Sequence, residues 1–155
     1  LPNVTKSILY GLALSVQTAS ALMLFCVIFP SFHRLFSSLG EPQQIDRGAQ
    51  LAILFGVTML QSSYWLRLRW LPVIAPMHSV FFGHVVLFAG RVSFFFGGAL
   101  FSTIFFRHVP DLEFLPPLGQ SVAKAIAVLA ILFSLFCYSL ELERLGKAIE
   151  DQREA

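Results

Sequence analysis

Arg91 is the residue whose type and position most demand a chemical explanation. It sits near the middle of an apolar run, residues 79–106, and every aspartate and glutamate of the chain lies outside the apolar runs. An arginine at that depth costs about 2.5–3.5 kcal/mol on insertion scales, so such residues face a helix bundle or a cavity and find a partner. Three outcomes compete: a structural arginine satisfied by backbone carbonyls and polar side chains, a contact with an acidic group on a partner subunit, or an anionic or carbonyl-bearing ligand. Within the chain, Gln17, Gln61, Ser62 and Ser63 are the polar candidates. On a helical wheel His84 precedes Arg91 by one heptad and Gly98 follows it by one, with Ser102 on the same side. Together with Gly83, Gly90 and Gly97 these residues occupy an arc of about 140°. The charged and glycine stripes adjoin, so the wheel points Arg91 into a bundle or a subunit interface. Arg91, His84, Gln17 and Ser102 are thus the candidate ligand- or partner-binding residues.

The four histidines raise the question of haem, since haem b takes two imidazoles at one depth. His33 and His108 both fall at one predicted boundary and form the weak candidate pair. His78 and His84 share a helix and are about 120° out of alignment, so they do not clasp one haem. Phe81, Phe82, Phe88, Phe94, Phe95, Phe96, Phe101, Phe105 and Phe106 nearly girdle the same helix. They face lipid or fill gaps between helices; a surface for a quinone or another large flat molecule is the weaker reading. No cofactor is predicted, with haem b or quinone as the alternative. There is no paired intramembrane carboxylate, metal-ligand motif, Ser-His-Asp pattern or glycine-rich phosphate loop. The chain therefore leans away from enzymes and away from small proton-driven exporters.

The elements that position these residues follow from composition. The chain has 155 residues, is 56% hydrophobic and only 13% charged, and carries 17 phenylalanines. Its mean hydropathy is +0.73. A soluble domain of this length cannot hide so much apolar surface. The net charge of +2 gives no nucleic-acid footprint. An integral membrane protein remains, with the lipid bilayer and protein subunits as its partners.

About 20 apolar residues span a bilayer core as helix. Residues 7–29, 49–66, 79–106 and 118–140 meet that requirement, and all eight prolines fall at their ends or between them. The first run contains Lys6 ahead of it and Ala19-Ser20-Ala21 inside it, yet the apolar stretch continues through Phe29, so it reads as an uncleaved helix. Residues 30–47 place Phe32, Leu35, Phe36 and Leu39 among polar residues, which predicts a short interfacial helix. The tail, 141–155, has Leu142, Leu145 and Ile149 on one side and Glu143–Lys147 and Lys147–Asp151 at i,i+4 spacing. It reads as a helical extension of the fourth span, either solvated or a docking surface.

Small residues suggest how the spans pack. Ser7, Gly11, Ser15 and Thr18 form a stripe in the first span, and Gly48, Ala52, Gly56 and Ser63 in the second. Gly83, Gly90, Gly97 and Gly98 form one in the third, and Ala123, Ala127, Ala130, Ser134 and Cys137 in the fourth. The expected architecture is one all-α membrane domain over 1–155, a compact bundle of four transmembrane helices. Lys6, Arg67, Arg69, Arg144, Lys147 and Arg153 lie on one side and Arg34, Arg47 and Arg107 on the other. This asymmetry places both termini in the cytoplasm or its organellar equivalent, in a bacterial or organellar inner membrane. Lys124, close to a helix end, snorkels.

The function expected from these features is a non-catalytic accessory, scaffold or assembly subunit of a larger membrane complex. A small oligomeric channel or carrier for an anionic or amphiphilic substrate using Arg91 is the alternative. A haem- or quinone-binding redox anchor is the second.

Overall fold

A computed structural model describes residues 3–38, 45–107 and 116–151. The described residues form four helices: α1 (Asn3–Ser37), α2 (Arg47–Trp70), α3 (Val80–Arg107) and α4 (Pro117–Asp151). No strand occurs among the described residues. Three helices are long and apolar enough to cross a membrane, over Val4–Ser37, Val80–Phe105 and Pro117–Asp151. α2 is set apart from them by Gln50, Gln61, Ser62, Ser63, Arg67 and Arg69, which dilute its apolar character.

Local chemistry sets several helix ends. Asp46 caps α2, its carboxylate accepting from the Gly48 N–H at 3.1 Å. At the other end the Leu71 N–H closes on the Arg67 carbonyl at 2.9 Å. Leu71 is extended, the conformation favoured by a residue before proline, here Pro72. Pro117 occupies the first position of α4, where its missing N–H has no helical partner to lose.

The first helix departs from the expected boundary. Instead of stopping at Pro30 and restarting as a short interfacial helix, the chain runs on as helix to Ser37. A proline removes only the bond to the carbonyl four residues earlier, here that of Cys26. The continuing turns are tied by burial of Leu35 and by the Ser37 hydroxyl, which donates to the His33 carbonyl at 2.9 Å. The remainder of the predicted interfacial segment, 39–44, lies outside the described residues, as do 152–155 of the tail.

The core is continuous through all four helices. Ala21, Leu24 and Ile28 of α1 meet Ile53 and Leu60 of α2, Leu100, Phe101 and Ile104 of α3, and Val128, Ile131 and Leu135 of α4. α1 packs chiefly along α2, and α3 along α4. Gly83, Gly90 and Gly97 bring α3 close to α4. A Cβ on Gly83 would lie 3.1 Å from the Gly146 carbonyl oxygen, and one on Gly146 equally near that of Gly83. Gly90 faces Leu142 and Ser139, Gly97 faces Leu135 and Phe25, and Gly98 approaches Leu132.

The small-residue stripe of α1 lies elsewhere than the packing argument placed it. Ser7, Gly11 and Ser15 are exposed, and a Cβ on Gly11 would meet nothing within 4 Å. The buried face is Tyr10, Gln17, Leu24 and, offset from these, Ala21, Ile28 and Leu35. Both series repeat every seven residues, the spacing of a packed helical seam.

The last turns of α4 have an inward use as well. Leu145 and Ile149 pack on Tyr10 and on Val73, Ile74 and Ala75 of the segment between α2 and α3. The apolar side of the tail is therefore covered by the chain itself.

Candidate functional site

The site that the fold assembles is a buried charge pair, and neither member was a sequence candidate. Arg67, three residues before the end of α2, forms an ion pair through Nη2 with Oε2 of Glu141 on α4. Their exposures are 3% and 0%. α1 supplies the third member: the Tyr10 hydroxyl donates to Glu141 Oε1 at 3.1 Å. The Arg67 guanidinium carbon stands 5.6 Å from the Tyr10 ring centroid, within cation–π range. One carboxylate thus joins three helices.

The sequence places this cluster near one end of the helices. α4 has 35 residues, about 52 Å at 1.5 Å per residue, well beyond a hydrocarbon core of roughly 30 Å. Glu141, Glu143, Arg144, Lys147, Glu150 and Asp151 all fall in a charged C-terminal extension of its apolar run. Glu141 stands where the apolar part gives way to this extension. On the extension, Lys147 donates to Glu143 at 2.7 Å. That bond and the lysine charge hold the Glu143 carboxyl below its ordinary range.

Further along the shared face, polar bonds continue between helices. Gln61 of α2 donates to the Ser134 hydroxyl of α4 at 3.1 Å and accepts from its own neighbour Trp65 at 2.9 Å. Tyr138 of α4 donates to Thr18 of α1 at 3.1 Å. The pairs Gln61–Ser134 and Arg67–Glu141 climb α2 and α4 in the same direction, so these two helices lie parallel. The arrangement locks helices together; it contains no nucleophile beside a base. No group of three or more His, Cys, Asp or Glu side chains converges among the described residues.

The four sequence candidates are not brought together. Arg91 is exposed on the outer side of α3, in a shallow depression with Phe88, Val92, Phe95 and Phe96. One residue advances about 100° around a helix, so burying Gly90 against α4 turns Arg91 outward instead of into the packed core. His84 is exposed too: its Nδ1 lies 2.8 Å from the Val80 carbonyl and 3.3 Å from Glu150 Oε1. Ser102 is half-buried. His33 is exposed and lies 3.4 Å from the Ser37 hydroxyl, while His108 is outside the described residues.

Gln17 does lie inside. It is fully buried on the α1 seam, and neither side-chain polar atom has a hydrogen-bond partner among the described residues. An unpartnered buried amide costs about 1–3 kcal/mol. Gln17→Met keeps most of the volume and removes the polar atoms. It is expected to stabilise the protein by about 1 kcal/mol, read as a raised thermal midpoint in detergent; a lowered midpoint would mean that the amide is bonded.

The missed pair had a signal in the sequence. Ile53, Leu60 and Arg67 are spaced by sevens, so the buried face of α2 leads to the arginine. The α4 stripe Ala127, Ala130, Ser134, Cys137 leads in the same way to Glu141.

No protein-family model matches the chain, and no curated protein or solved structure does so either. The class follows from the molecule itself: an α-helical membrane protein with three helices long and apolar enough to cross a bilayer.

Proposed function

We propose that the chain is a non-catalytic accessory or assembly subunit of a larger integral membrane complex, held there through the outer face of α3. In this reading α2 crosses the membrane with the other helices. Its 24 residues reach about 36 Å, and its Gln61 and Arg67 are bonded to α4. The result is a compact four-span bundle. The six-to-three excess of Lys and Arg puts both termini on the cytoplasmic side.

The observation that carries this reading is the outward position of Arg91. The residue lies eleven positions into α3, about 17 Å from its start, and adjoins Gly90, which packs on Ser139 and Leu142 of α4. The depression Arg91 lies in is lined by phenylalanine and valine, and Glu143 of α4 is near enough to feel its charge. Phe81, Phe88 and Phe95 flank Arg91, 71%, 68% and 73% exposed. They repeat every seven residues, the spacing of a helix–helix seam. A partner helix that lays a carboxylate against Arg91 offsets the cost of the charge and covers this seam.

Purification in mild detergent tests the proposal. The wild-type chain is expected to co-purify with a larger membrane protein, and Arg91→Gln is expected to reduce that recovery at least about tenfold. A wild-type protein that purifies alone as a stable monomer would contradict it.

A further inference from the structure

A second feature, independent of Arg91, lies between α2 and α4 at the end away from the charge pair. There a cavity of about 340 Å³ separates the two helices, within the size range of small-ligand sites. Ala123, Ala127 and Ala130 form its wall on α4, and Ile53, Leu54 and Val57 its wall on α2. Lys124 and Gln50 also line it, both toward the ends where the helices begin.

We propose that this cavity binds one acyl chain of an anionic bilayer phospholipid, with the phosphate at Lys124. Three observations support that occupant. First, the cavity follows α4 from Ala123 to Ile131, about 12 Å along the axis, which matches most of the roughly 15 Å depth of one leaflet. Second, its two polar side chains, Lys124 and Gln50, sit toward the helix-start end, beside Ile45 and Phe105, while the described lining deeper in is alanine and aliphatic. Third, among the described residues the lining carries one positive charge and no carboxylate. Lys124 has no ion pair or hydrogen bond among the described residues. Alanines one helical turn apart leave the groove that a chain fills; the longer side chains Ile126 and Leu129 point away and are exposed.

The test is native mass spectrometry of the full chain with added phosphatidylglycerol, phosphatidylcholine or oleate, the two phospholipids carrying the same acyl chains. Wild type is expected to retain phosphatidylglycerol about fivefold better than phosphatidylcholine, the effect of one lysine at a membrane surface. Lys124→Gln is expected to erase that preference, and Ala127→Leu to lower retention of both phospholipids. Lys124 is half-buried near a helix end, so the glutamine variant is expected to fold. Equal retention of the two phospholipids by wild type, a preference that survives Lys124→Gln, or retention of oleate in place of phospholipid would each overturn the proposal.

Discussion

Glu141→Ala is expected to destabilise the protein by about 3–5 kcal/mol, the usual result of stripping one partner from a buried ion pair. The carboxylate is fully buried and receives both the Arg67 guanidinium and the Tyr10 hydroxyl. Removing it leaves Arg67 charged, 3% exposed and without its counter-ion. The loss is read from thermal or denaturant unfolding in detergent. Arg67→Ala is expected to cost a similar amount by the mirror argument. The double replacement Arg67→Met with Glu141→Leu removes both charges and keeps volume, and it is expected to recover most of the stability. Tyr10→Phe removes one hydrogen bond but leaves the pair, so its effect is expected to be smaller, about 1 kcal/mol. If Glu141→Ala changes stability by less than that, the pair is not the element that joins α1, α2 and α4.

The second large effect is expected at the crossing of α3 and α4. A Cβ on Gly146 would lie 2.7 Å from Leu87 Cγ and 3.1 Å from the Gly83 carbonyl oxygen. Leu87 has freedom to turn, but a backbone carbonyl does not, so a larger side chain must push the helices apart. Gly146→Val is expected to destabilise by about 3 kcal/mol. Gly11→Ala supplies the contrast. Nothing stands within 4 Å of the place its new methyl group would take, and the gain in helix propensity is expected to stabilise by up to about 1 kcal/mol. Opposite signs at two helical glycines, measured in the same unfolding assay, separate close packing from propensity.

The helices were largely legible in the sequence, because long apolar runs and prolines at their borders leave few other readings. The end of α1 was not, since Pro30 looks like a stop although it forfeits only one backbone bond within an otherwise continuing helix. Which way each helix faces was harder. In α1 the exposed Gly11 and Ser15 look like packing residues by size alone, while the larger Tyr10, Gln17 and Leu24 are the ones buried. In α3 the heptad Gly83, Gly90, Gly97 lies against α4 and its partners, and that contact rotates the adjacent Arg91 outward.

The charge pair was hidden for a different reason. Counting Arg67 as a loop charge and Glu141 as part of a tail treats helix ends as solvated. Here the ends of α2 and α4 lie together with the start of α1, and Leu145, Ile149 and the segment around Ile74 close over them. Burial at a helix end depends on which other ends share its level, and a single chain's hydropathy does not carry that. The seven-residue spacing from Ile53 through Leu60 to Arg67 does carry it, once the inward face of α2 is known.

Site-specific photocrosslinking from positions 88 and 95 in native membranes tests the partner-subunit reading most directly. Both positions flank Arg91 on the exposed face of α3, and Phe55, exposed on α2, serves as the comparison. The predicted result is one discrete adduct with the same membrane protein from both positions, none from position 55, and loss of the adduct in Arg91→Gln. Lipid adducts alone at 88 and 95, or a protein adduct indifferent to Arg91→Gln, would contradict it.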